Sequence, residues 1–251
     1  MHLEEFAEGT SIFHKLDPRV KFMTFMPYII VVAVMKGIQY PALALLISTS
    51  MVIISRIDGA KLLSRLGVVN VFILVLWLFL PFSHPGKEVF HIGPLIATSE
   101  GLLFTLSITL KANAIILATI AILGTSEIFS LAHALVHLKI PTKLVYLFFF
   151  FYRYISVLHQ EYSRLKRSIS IRAFRPRTSV HTYKTYAYLV GMLIVRSYDR
   201  SQRIYNAMLC RGFTGKFPVI SHFHMHTRDY IYSCFMICII IIMVVLIYIG
   251  K

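Results

Sequence analysis

"LVYLFFFFYRYISVL", residues 144–158, is the stretch on which the architecture turns. It is apolar enough to enter a bilayer, yet Arg153 interrupts it. If it spans, the chain crosses the membrane six times; if it does not, five. The stretch cannot be read alone, so the chain around it has to decide. That chain has 251 residues, of which 57% are hydrophobic and only 15% charged, and its mean hydropathy is +0.70. Soluble domains carry about 45–50% apolar and about 25% charged residues. The composition therefore predicts an all-α polytopic membrane protein.

A spanning helix needs roughly 20 mainly apolar residues. Five segments meet or approach this: 20–36, 38–55, 68–82, 101–123 and 230–249. The last, "YIYSCFMICIIIIMVVLIYI", is the cleanest. The opening "MHLEEFAEG" is acidic and polar, so no cleavable signal peptide is expected. Cys210, Cys234 and Cys238 show no disulfide or zinc spacing.

Charge then fixes the topology. Residues 152–228 hold 14 Lys and Arg against two acids, Glu161 and Asp199, so this stretch carries +12 of the chain's +15. Such a segment belongs in the cytoplasm by the positive-inside rule. The same rule places Lys15, Arg19 and Lys21 inside, together with a loop carrying Arg56, Lys61 and Arg65. Four spans from an internal N-terminus return the chain to the inside before residue 144. A spanning 144–158 would put the +12 stretch outside. It is therefore read as lying along or dipping into the inner leaflet, and six spans is the alternative. This gives a bundle of four spans over 1–143, a pair of long amphipathic cytoplasmic coupling helices over 144–228, and a C-terminal transmembrane helix over 229–251. The basic charge thus faces a membrane surface rather than a nucleic acid.

Within 144–228, Ile155, Leu158, Tyr162, Leu165, Ile169 and Arg172 follow a 3-4-3-4-3 spacing. Ile194, Tyr198, Ser201, Tyr205, Met208 and Gly212 follow 4-3-4-3-4. Both are helical seams. The first is broken after Phe174 by Pro176, the second by Gly212, Gly215 and Pro218. Each seam ends on one device: "SISIRAF" (168–174) and "NAMLCRGF" (206–213) both set an arginine before a small residue, with Phe behind. Anionic lipid accounts for most of the Lys and Arg. It does not require a small residue beside an arginine at a helix end. A small neighbour permits close approach of a protein surface, and the guanidinium fork can bind a carboxylate bidentately.

These paired Ala-Arg-Gly-like motifs resemble those of the transmembrane T component of energy-coupling factor (ECF) transporters. "FHKLDPRVKFM" (13–23) resembles that family's N-terminal segment, here Leu16, Asp17, Pro18, Arg19 and Lys21. Residues 137–174 resemble the run entering its first motif, and "VRSYDRSQRIYNAMLCRGFTG" (195–215) is similar to the cobalt/nickel, CbiQ-type subgroup. The resemblance covers nearly the whole chain. It implies a scaffold in the cell membrane, N-terminus cytoplasmic, that couples two cytoplasmic ATPase subunits to a membrane substrate-capture subunit taking up cobalt or nickel. The docking residues it implies are Ile171, Arg172 and Ala173, then Cys210, Arg211 and Gly212. Ile171, Ala173 and Cys210 depart from the family's Ala-Arg-Gly, and a left-handed backbone at Ala173 would be disfavoured. The alternatives are a T component of a vitamin importer, or a stand-alone secondary carrier or channel.

Other signals are weaker. His222, His224 and His226 alternate, and His133 and His137 lie four apart. The latter pair lacks the Glu of a zinc protease motif, and Arg228 disfavours a cation beside the former, so no metal site is expected. Lys111 sits in mid-segment close to Asn113, with Asn70 on the preceding segment. Such residues line a transport path or face the bundle interior. No phosphate-binding Gly-rich loop and no nucleophile constellation is present, so the chain is read as no enzyme. It would bind no cofactor itself, and ATP would be used by its partners.

Overall fold

The computed structural model describes residues 9, 11–83, 85–92, 95–137, 140–215 and 225–249. After a short 3-10 turn, Phe13–Lys15, these carry α1 (Pro18–Val34), α2 (Gln39–Ser55) and α3 (Gly59–Ser83). An antiparallel hairpin of β1 (Glu88–Ile92) and β2 (Leu95–Thr98) leads into α4 (Ser99–Ile122) and α5 (Ile128–His137). Then come α6 (Thr142–Ile171), α7 (Val180–Cys210) and α8 (Thr227–Ile249). The elements fall into two compact units, one formed by α6 and α7, the other by the rest.

In the larger unit α4 packs against α1, α2 and α3, while α8 packs against α1 and α2. The sequence of α4 explains its position. Ala114, Ala118 and Ala121 are fully buried and recur every three to four residues, which lets neighbouring backbones come close. Tyr28, Val32 and Met35 of α1, Ala44, Met51 and Val52 of α2, and Met236 and Met243 of α8 complete the core. Polar groups tie the helices together. The Tyr28 hydroxyl lies 2.7 Å from Ser48 Oγ and donates to the Ala44 carbonyl at 3.0 Å. Ser107 Oγ donates to the Gly37 carbonyl at 2.8 Å. At Gly101, a Cβ would meet the Pro81 carbonyl oxygen at 2.6 Å, so the approach of α3 to α4 requires glycine there.

Among the described residues, three helices are long and apolar enough to cross a membrane: Gly59–Ser83, Ser99–Ile122 and Thr227–Tyr248. α2 is apolar but has 17 residues, and α1 also has 17. At about 1.5 Å per residue such a helix reaches about 26 Å, close to the roughly 30 Å hydrocarbon core. The chain is an all-α membrane protein whose apolar helices fall on the five expected segments.

Two boundaries differ from expectation. α3 starts at Gly59 rather than near residue 68, so Lys61 and Arg65 lie in its first turns and not in a loop. Asp58 begins this helix by accepting from the Ala60 N–H at 3.1 Å, and Lys and Arg are good helix formers. The 83–99 connection also folds locally, into the β-hairpin. In the smaller unit, Arg153 interrupts nothing in the backbone: 144–158 is the first half of one 30-residue helix, α6.

Candidate docking ends of two helices

α6 and α7 are long helices with strongly one-sided apolar faces, and they pack on each other. Glu161 of α6 anchors the contact. It is hydrogen-bonded by the Arg196 guanidinium of α7 and lies 3.5 Å from Arg164. The Arg196 hydrogen bond, with the charges of Arg196, Arg164 and Arg200 beside it, holds this carboxyl below the usual carboxylate range. Ser179 caps the start of α7 by accepting from the Thr182 N–H. Ahead of it, Arg175, Pro176 and Arg177 form the non-helical link from α6.

Both helices stop on the arginines the sequence singles out. Arg172 is the C-cap of α6 and Arg211 that of α7. The residue after each has a left-handed backbone, with φ +59° at Ala173 and +79° at Gly212. At the first end the Ala173 N–H donates to the Ser170 carbonyl (3.1 Å) and the Phe174 N–H to that of Ile169 (3.3 Å). At the second the Gly212 N–H donates to Leu209 (2.9 Å) and the Phe213 N–H to Met208 (3.0 Å). These are two copies of the Schellman helix stop, in which a left-handed residue lets the next two amides cover the last carbonyls. An apolar residue normally follows the left-handed one in this motif, which gives Phe174 and Phe213 a structural task. Phe174 meets Tyr186 edge-on at 6.0 Å and His181 at 6.1 Å, folding the end of α6 onto the start of α7.

Ile171, Arg172, Ala173, Cys210, Arg211 and Gly212 are all exposed, Ile171 to 86%. Neither guanidinium has a hydrogen-bond or ion-pair partner among the described residues. Each end therefore presents an unpaired cation whose backbone direction is fixed by the stop behind it. Such an end can insert into a groove and bind a carboxylate or carbonyls there.

The N-terminal motif does something else: its residues are largely buried. Asp17 caps α1 by accepting from the Arg19 N–H at 2.8 Å, and Pro18 occupies the first helical position, where its missing N–H costs nothing. Leu16 is a core residue. Lys21, 1% exposed, donates to Ser126 Oγ (2.6 Å) and Thr125 Oγ1 (3.2 Å) in the turn after α4. Asp229 of α8 completes this knot. One of its oxygens accepts from the Asp17 N–H and the other from the His226 N–H, both at 2.9 Å. A single carboxylate thus joins the starts of α1 and α8 across 212 positions of sequence. Asp229 escapes a sequence reading because its partner is so remote. The local signal for it was an acid in the third position of α8, where a carboxylate reaches back to the cap amide.

Asn70 and Asn113 form a reciprocal pair, each amide nitrogen donating to the other's oxygen at 3.1 Å. Lys111 Nζ donates to the Ala33 carbonyl at 3.3 Å. These bonds join α3 and α1 to α4. His222 and His224 lie outside the described residues, as do the side chains of His133 and His137. Among the described residues no group of His, Cys, Asp and Glu is arranged to hold a metal.

The CbiQ family, described as "Cobalt transport protein", matches residues 9–222. The energy-coupling factor transporter transmembrane protein EcfT of Bacillus subtilis is 25% identical over 226 residues, covering 86% of this chain and 85% of its own. An EcfT of Listeria monocytogenes is 27% identical over 254 residues, covering 94% and 93%. An uncharacterized protein of Methanocaldococcus jannaschii is 25% identical over 251 residues, covering 96% and 85%. With the family match running through both arginine-bearing helix ends, the chain belongs to the CbiQ family of transporter transmembrane proteins, the T components of energy-coupling factor transporters.

Proposed function

We propose that this chain couples ATP hydrolysis by two cytoplasmic ATPase subunits to uptake of cobalt or nickel ions by a membrane substrate-capture subunit. One observation carries the reading: two successive helices end in the same stop, each leaving an exposed, unpaired arginine. Two plugs fit two sockets. Arg172 with Ile171 and Ala173 enters one ATPase, and Arg211 with Cys210 and Gly212 enters the other. The Glu161–Arg196 contact lets movement of one plug reach the other helix. The chain holds no cofactor and performs no hydrolysis; ATP belongs to the partners. Cobalt or nickel takes its support from the family's description and from the similarity of residues 195–215 to that subgroup.

In this reading the basic helix pair faces the cytoplasm with the N-terminus, in the cell membrane, and 144–158 lies at the inner leaflet. The chain is organised as the four-span segment 1–143, the coupling segment 144–228 and the final helix 229–251. The test is to extract the tagged chain from its native membrane and identify what copurifies. Two ATP-binding subunits and a small membrane protein are expected. Ion uptake into liposomes by the chain alone, with no ATPase copurifying, would replace this reading with a stand-alone carrier.

A further inference from the structure

Two recesses of the larger unit are lined by the N-terminal 3-10 turn and the first half of α8. The first is an open pocket of about 460 Å³ lined by Lys15, His226, Thr227 and Arg228. The second is a groove of about 260 Å³ whose lining includes Ile12, Leu16, Met51, Phe235, Met236 and Ile239. The same two elements build both. Lys15 closes the 3-10 turn whose neighbours Ile12 and Leu16 wall the groove. Arg228, Tyr232, Phe235 and Ile239 follow a 4-3-4 spacing along one face of α8, cationic at its end and apolar beyond. The edge-on contact of Phe13 with Tyr232, at 5.7 Å, fastens the turn to the helix in the wall of the groove.

Among the described residues, the acids nearby do not cancel the charge of the pocket. Asp17 and Asp229 are 7% and 2% exposed and turn inward. Both oxygens of Asp229 accept backbone N–H groups, one oxygen of Asp17 accepts the Arg19 N–H, and Lys21 sits buried with them. Lys15 and Arg228 remain exposed, and neither side chain has a hydrogen-bond or ion-pair partner among the described residues.

We propose that this paired recess binds one anionic phospholipid, its phosphate held by Lys15 and Arg228 and one acyl chain laid along the groove. The occupant follows from charge and depth together. A basic pocket at the end of a spanning helix meets lipid headgroups, and an apolar groove one turn further along the same helix meets the attached chain. A soluble anion would use the pocket and leave the groove exposed.

The test uses the full chain in neutral detergent and native mass spectrometry. Phosphatidylglycerol and phosphatidylcholine with identical acyl chains are added in turn, and glycerol 1-phosphate is added as the headgroup without a chain. One phosphatidylglycerol should be retained in clear preference to phosphatidylcholine, and glycerol 1-phosphate should not displace it. Lys15→Gln with Arg228→Gln should lower retention about tenfold or more. Arg175→Gln with Arg177→Gln, which removes the same charge from the α6–α7 link, should leave it unchanged. Equal retention of the two lipids, equal loss in the two double variants, or displacement by glycerol 1-phosphate would each overturn the proposal.

Discussion

The two helix stops share one geometry but not one residue, and that asymmetry makes a signed prediction. Ala173 holds φ +59° and Gly212 +79°. An L-residue in the left-handed region costs about 1–2 kcal/mol, whereas glycine adopts it freely. At Gly212 nothing among the described residues lies within 4 Å of where a Cβ would stand, so Gly212→Ala adds backbone strain and no clash with them. The added methyl also restricts the unfolded chain, which returns about 0.4–1 kcal/mol. The net cost is about 0.5–1 kcal/mol, and Ala173→Gly should gain a similar amount. The effect is local, so the assay is amide hydrogen exchange at the two residues behind each stop. The Phe213 amide in Gly212→Ala should exchange about two- to fivefold faster. The Phe174 amide in Ala173→Gly should exchange slower by the same factor. Shifts of the same sign at both ends would refute the reasoning, because strain predicts opposite signs.

Three other perturbations probe the rest of the structure. Asp229→Ala removes the acceptor of the Asp17 and His226 amides, two charge-assisted bonds of about 1.5–3 kcal/mol each before relaxation. It should lower the thermal midpoint in detergent by more than Asp199→Ala at an exposed position of α7, and an unchanged midpoint would remove the knot from this account. For Asn70 and Asn113, a double-mutant cycle with alanine should give a coupling of about 0.6 kcal/mol, up to about 1.7, and a coupling of zero would show that the pair holds nothing. Glu161 is depressed in the folded chain, so its contribution to the α6–α7 contact is fully present above its unfolded value of about 4.3 and is lost as pH falls through the folded value. Acid unfolding of that contact, followed by a fluorescent pair on α6 and α7, should lose this dependence in Glu161→Gln; an unaltered profile would assign it elsewhere.

Local signals made much of this legible in the sequence. Apolar run length located the helices of the bundle, and Pro176, Gly212 and Gly215 marked where α6 and α7 end. Their capping arginines followed from those breaks. The identical Phe two places after each arginine was visible too, but its task appeared only with the Schellman amides in place. Where charge and helix propensity conflicted, charge misled: Lys61 and Arg65 read as a loop, yet a capped helix accepts both in its first turns. The Leu16–Lys21 segment was legible only as a resemblance. Its physical reason, the Asp229 carboxylate and the Thr125 and Ser126 hydroxyls, comes from residues more than 100 positions away.

The central claim is that the exposed arginines at the two helix ends are what the ATPase subunits grip. The most direct measurement is the affinity of the copurifying ATPase pair for the full chain in lipid nanodiscs, comparing wild type with Arg172→Ala, Arg211→Ala and the double variant. Truncating one side of a buried, hydrogen-bonded charge contact costs about 2–5 kcal/mol. Each single variant should therefore bind about 30-fold or more weakly, and the double variant weakest of all, while Arg175→Ala with Arg177→Ala stays near wild type. Wild-type affinity in the double variant, with the helices intact by circular dichroism, would contradict the account.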